Sequence, residues 1–128
     1  MRVLIVDDSV TLRRLSMNVV REGYPDAEFV EASDGLYAKG LLEGVDLILL
    51  GWNMPGMNGY DFLVWLRKKK ESEIPVVMVT SEANKENVIR ALQAGATQYV
   101  VKPFTIQGLL SKIRNCVGDP DPEPELEE

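Results

Sequence analysis

The chain has 128 residues, a formal net charge of −6, 45% hydrophobic and 27% charged residues. That length suits one core, the balance is that of an ordinary globular domain, and no apolar stretch approaches the roughly 20 residues a membrane-crossing helix needs. With no histidine and one cysteine, Cys116, there is no internal disulfide and no supply of the commonest transition-metal ligand. The opening MRVLIVDDS is too short and too soon acidic for a signal peptide, so a cytoplasmic protein is expected.

Short apolar runs alternate with segments of helical spacing five times along the chain. VLIV (3–6) reads as the first strand, and Leu12, Leu15 and Val19 share a helical face behind Ser9, an N-cap. EFVEA (28–32) is the second strand, followed by Ser33-Asp34-Gly35 and a helix carrying Ala38, Leu41 and Leu42. LILL (47–50) is the third, with Phe62, Leu63 and Leu66 on a helix after Asn58-Gly59. PVVMV (75–79) is the fourth, and Val88, Ala91 and Leu92 form an apolar face that ends before Gly95. QYVV (98–101) is the fifth, and Leu109, Leu110, Ile113 and Val117 follow Thr105 on a last helix closed by Gly118 and Pro120.

One domain over residues 1–118 is predicted. The remainder, 119–128, alternates acid with proline and holds one apolar residue, the composition of a disordered tail. It reads equally as a solubilising end, the stub of a linker or an appended sequence. The cluster Arg67-Lys68-Lys69-Lys70 is short, lacks interleaved aromatics and sits in an acidic chain, so a solvated helix end is preferred to a nucleic-acid patch.

Strands of this kind, mostly Leu or β-branched, suit burial on both faces, and short βα connections imply a parallel sheet with right-handed crossovers. The expected fold class is α/β: a doubly wound five-stranded parallel sheet, order 2-1-3-4-5, with five helices, a flavodoxin-like arrangement. In such folds ligands bind beyond the carboxyl ends of the strands. There the chain places Asp7-Asp8, Gly51-Trp52-Asn53, Thr80-Ser81 and Lys102-Pro103. Adjacent carboxylates favour a hard divalent cation, a hydroxyl and a lysine favour phosphoryl oxygens, and Mg²⁺ suits both. Each residue alone has a plain alternative, since Asp8 caps a helix, Thr80 closes a strand or Lys102 pairs with an acid; together the functional reading prevails.

The pieces VLIVDDS, DLILL-WNMPGMNG, VVMVTSEA and ALQAGATQYVVKPF, with the final amphipathic helix, cover residues 2–117 in one order. In that set the chain resembles the response-regulator receiver domain of two-component phosphorelay signalling, close to the stand-alone chemotaxis type. The resemblance implies that Asp7 and Asp8 form a Mg²⁺-binding acid pair and that Asn53 gives the ion a backbone carbonyl. It implies that Thr80 is the switch hydroxyl, Tyr99 an aromatic that swings between exposed and inward rotamers, Lys102 the phosphoryl contact, and Lys102-Pro103 a cis peptide. Tyr99 also reads as a plain packing residue.

The family's phosphoacceptor aspartate falls on Gly51, which has no nucleophile. The resemblance therefore implies a receiver unable to accept phosphoryl, not an enzyme, with Mg²⁺ weakened or absent because one of three carboxylates is gone. Lys102 is expected to turn to Asp7 or Asp8, and stability to change little. Retention of the other pocket residues favours a substituted form of a functional receiver, although glycine is an unusual choice for an engineered acceptor position. The alternative is a natural phosphorylation-independent pseudo-receiver acting as a protein-binding adaptor. Implied partners are a histidine kinase or another signalling protein, met through the face of the fourth helix, fifth strand and fifth helix, with no nucleic acid, no membrane, and a monomer or weak dimer. A flavodoxin-like mononucleotide binder is disfavoured because DDSVTLRR has acids where a phosphate-cradling loop needs amides. A phosphatase would lack the same missing nucleophile.

Overall fold

A computed structural model describes residues 1–119, so nearly all of the acidic segment 119–128 expected as a tail lies outside the described residues. The elements in chain order are β1 (Arg2–Val6), α1 (Val10–Gly23), β2 (Glu28–Ala32), α2 (Gly35–Ala38) with a 3-10 turn at Lys39–Leu41, β3 (Leu47–Leu50), α3 (Gly59–Lys68), β4 (Val76–Thr80), α4 (Lys85–Gln93), β5 (Gln98–Val101) and α5 (Ile106–Val117). All neighbouring strands are parallel, in the expected order β2-β1-β3-β4-β5.

Alternation along the strands divides the core into two layers. Val3 and Ile5 of β1, Leu47 and Leu49 of β3, and Val77 and Val79 of β4 face α1 and α5, meeting Val19, Val20, Leu109 and Ile113. Leu4, Val6, Ile48, Leu50, Val76 and Met78 point the other way, toward Phe62, Leu63 and Leu66 of α3 and Ala91 of α4. All four residues of LILL are buried, which is why the run shows no polar alternation. Each such side chain contributes roughly 1.5–3 kcal/mol when removed from water, and β3 at the centre of the sheet is the most completely enclosed strand.

Four local expectations need correction. In α1 the inward stripe is Leu12, Ser16, Val19 and Val20, and Leu15 is 46% exposed. Ser16 is small enough to lie against the sheet, and its burial rotates the stripe past Leu15. In α4, Leu92 is exposed, and Ala91 is the one fully buried helical position. The second helix stops after four residues, because Gly40 weakens the helical turn and Gly44 adopts a left-handed backbone with φ of 73°. Leu41 and Leu42 nevertheless pack against the core from the turn. Strand β4 runs one residue further than the apolar run implied, so that Thr80 is a strand residue in register with Val101.

Candidate functional site at the carboxyl edge

The ends of β1, β3, β4 and β5 meet in a cleft of about 160 Å³ whose walls include Asp7, Asp8, Gly51, Asn53, Thr80 and Lys102. Asp7 leaves β1 with its amide donating to Ala32 carbonyl at 3.1 Å, and only 8% of the residue is exposed. Its carboxylate is held at both oxygens. Oδ1 accepts from the Ser9 amide at 2.9 Å, and Oδ2 accepts from Lys102 Nζ at 2.9 Å. Lys102 has thus turned to Asp7, and that largely enclosed pair ties β5 to β1 across the cleft. Asp8 is exposed and faces a second, wider depression with Asn53, Met54, Pro55 and Asn58. Ser9, not Asp8, caps α1, its hydroxyl accepting from Leu12 N–H at 3.2 Å. Asp8 is therefore free of the capping role considered for it.

Gly51 follows β3, buried, with its amide donating to Val6 carbonyl at 2.9 Å. A Cβ placed on it would lie 3.3 Å from Asp7 Oδ2 and 3.4 Å from Val6 O, so a side chain there would point along the Asp7 carboxylate. The next turn is close-packed. Gly59 N–H donates to Trp52 carbonyl at 2.9 Å, and a Cβ on Gly59 would collide with the Gly51 carbonyl oxygen. Asn58 caps α3 by accepting from Asp61 N–H at 2.8 Å, which fixes where that helix begins relative to the cleft.

Thr80 is 2% exposed; its hydroxyl oxygen accepts from Glu82 N–H at 3.2 Å, and its carbonyl accepts from Lys102 N–H at 2.9 Å. Tyr99 is half-buried, its hydroxyl donating to Glu82 carbonyl at 2.6 Å. Burial, with a smaller contribution from the Glu82 carboxylate, pushes its phenol up to about 12. Tyr99 and Thr80 therefore grip the same residue, Glu82, from two directions, and this loop leads into α4. The Lys102–Pro103 peptide is cis. Beyond it, α4, β5 and α5 expose Ile89, Leu92, Val101 and Ile106.

Three features were not legible as site elements in the sequence. Arg13 donates from Nε to Glu31 Oε1 at 3.0 Å and from its other guanidinium nitrogen to Asp7 carbonyl at 2.6 Å, clamping the β1–α1 junction to β2. Its spacing from Ser9, one helical turn, is the only sequence signal, and it needs β2 to have meaning. Glu82 enters through its backbone, which no side-chain motif reveals. Trp52 stacks on Tyr60 with ring centroids 5.5 Å apart, and the Arg90 guanidinium lies 4.5 Å from the Tyr60 ring. That stack runs from the residue beside Gly51 to the surface of α4.

Among the described residues no group of three or more acidic, histidine or cysteine side chains gathers as a metal centre. Two carboxylates, Asp7 and Asp8, and Asn53, which offers amide oxygens, line the cleft and its rim. This all-oxygen set fits a hard divalent cation in kind, while one Asp7 oxygen is already bound to lysine.

Residues 3–114 match the family described as the response regulator receiver domain. A chemotaxis protein CheY homolog of Campylobacter jejuni is 43% identical over 123 residues, covering 92% of this chain and 93% of that protein. Chemotaxis protein CheY-3 of Vibrio cholerae is 44% identical over 117 residues, 88% of each chain. Among solved structures, Vibrio cholerae chemotaxis protein CheY4 is similar with a TM-score of 0.78 at 30% identity, over 90% of this chain and 97% of that one. A CheY-like receiver domain protein from Methanospirillum hungatei gives a TM-score of 0.77 at 29% identity, over 88% of this chain and 90% of that one.

Proposed function

The chain belongs to the response regulator receiver domain family, and we propose that it is a CheY-like signalling receiver that cannot take a phosphoryl group at the end of β3. The observation that carries this reading is Gly51, set against Asp7 Oδ2 in the cleft that Thr80 and Lys102 share, where it offers no nucleophilic atom. Lys102 supplies a fixed positive charge to the cleft, and Thr80 supplies a hydroxyl at its wall. Tyr99 holds the Glu82 carbonyl of the same loop. Asp7, Asp8 and the Asn53 carbonyl would hold Mg²⁺, which when bound offsets charge on phosphoryl oxygens. With one carboxylate fewer than the family pattern implies, that affinity is weak.

On this reading the protein is cytoplasmic, acts by binding rather than as an enzyme, and is a monomer or weak dimer. Its α4–β5–α5 face meets a histidine kinase or another signalling protein, supported by the exposed Ile89, Leu92, Val101 and Ile106. Those side chains equally support the second reading, a phosphorylation-independent adaptor. One experiment separates the two. Treated with acetyl phosphate and Mg²⁺, the chain is expected to gain no phosphoryl by intact-mass spectrometry, whereas its Gly51→Asp variant gains one and shifts the NMR signals of Thr80 and Tyr99. Phosphoryl on the Gly51 chain overturns the loss of acceptor function; an inert Gly51→Asp variant favours the adaptor.

A further inference from the structure

We infer that the gap at Gly51 is a binding site for a small carboxylate, formate or acetate, taken up together with a divalent cation. The inference rests on the reading of Asp7, Asp8 and Asn53 as the cation's ligands. The gap is preformed. The Gly51 amide is bonded to Val6 carbonyl at 2.9 Å, and its carbonyl is packed against Gly59, so the backbone is held on both sides and cannot slump into the space. Asp7 Oδ2 stands 3.3 Å from where a Cβ at Gly51 would lie, and the room for a ligand is the cleft of about 160 Å³ that Gly51 lines beside it.

Thr80 gives the gap a donor. It lines the same cleft, 2% exposed, and its oxygen accepts from Glu82 N–H, while its own O–H has no acceptor among the described residues. A hydroxyl so enclosed gains by meeting an anionic oxygen. Lys102 stands at the same wall with an ammonium that has three protons to donate, one of them engaged by Asp7.

Charge selects the ligand. Asp7, Asp8 and Lys102 leave the cleft with one net negative charge, which repels a lone anion. A divalent cation and one carboxylate together bring it to neutrality. A phosphate dianion with the same cation leaves it negative, and it is also larger than the one missing side chain. The cation gains the oxygen ligand it lacks, and the two ligands must therefore tighten one another equally.

The test is a Mg²⁺ titration of the chain at constant ionic strength, in chloride and then in formate, followed by Trp52 fluorescence and the Gly51 and Thr80 amide shifts. Formate is expected to tighten apparent Mg²⁺ binding by at least about fivefold. The Gly51→Asp variant fills the gap covalently and should show no formate effect. Thr80→Val should bring the formate-to-chloride ratio toward one. Equal Mg²⁺ affinity in the two salts, with Gly51→Asp still binding Mg²⁺, overturns the carboxylate site and leaves the cation reading standing. Absence of Mg²⁺ binding in both chains overturns both. A formate effect of the same size in Gly51→Asp, or a larger one from phosphate in the Gly51 chain, also overturns the assignment.

Discussion

The end of β3 and the first turn of α3 each carry a glycine, and the two do opposite things. At Gly51 an added Cβ meets a carboxylate oxygen at 3.3 Å, a side-chain atom held by Lys102 that has to shift by only a few tenths of an ångström. At Gly59 an added Cβ collides with a backbone carbonyl, that of Gly51 itself. Neither glycine has a positive φ, so what distinguishes them is packing and not backbone conformation. The lesson is that the loop beside the cleft is intolerant at its turn and permissive at its reactive position.

The largest test of that contrast is Gly59→Ala, which drives a methyl into backbone and should destabilise the fold by about 3 kcal/mol. Urea midpoints at unchanged slope would measure it, and a neutral result would show that the turn can move. Next in size is Lys102→Met, which leaves the Asp7 carboxylate, 8% exposed, without its cation. A loss of about 2 kcal/mol is expected, recovered in part by Asp7→Asn in the same chain. Gly51→Ala should by contrast fall within about 1 kcal/mol of neutral, since reduced freedom of the unfolded chain offsets the close approach to Asp7. A penalty as large as that at Gly59 would erase the distinction between the two positions.

The remaining effect, confined to alkaline pH, concerns Tyr99, which lies beyond the cleft. Its phenol titrates at about 12, above an ordinary value of 10.0, because the buried neutral form is favoured. The folded state therefore binds this proton more tightly than the unfolded chain. The associated stability is complete below pH 10.0 and is lost as pH rises toward 12. Alkaline unfolding compared with Tyr99→Phe should show a smaller loss in the variant, where Tyr24, also raised by burial, remains. Gly51→Ala should leave the Tyr99 ring titration in place by NMR; a shift toward the ordinary value would show that the permissive position reaches α4 after all.

Much of this architecture is legible in residues read singly. The strand runs are apolar on both faces, so their burial needs no knowledge of partners. Ser9 and Thr105 cap helices through bonds to amides three residues on, a local interaction that sequence carries in full. Leu15 and Leu92 fall outside the contact stripes for the converse reason. A helix has more apolar residues than its contact stripe can hold, and the tilt against the sheet, not the spacing, selects among them. Among site residues, Asp7, Thr80 and Lys102 stand out by position at strand ends, whereas Arg13 acts through contacts to the Asp7 carbonyl and to Glu31 of β2, and Glu82 through its own backbone, met by the Tyr99 hydroxyl from β5.

The sequence by itself determined the alternation of five strands and five helices and the identity of the groups at the carboxyl edge, because hydrophobic period and residue chemistry are local properties. Tertiary structure alone decided that Lys102 pairs with Asp7 across 95 residues of chain. It alone decided that Tyr99 turns inward onto Glu82 and that Gly59 leans on the Gly51 carbonyl. The first two contacts bring separate strands or their loops together and the third folds the β3–α3 loop back on itself, and only the assembled sheet and helices set the distances between them.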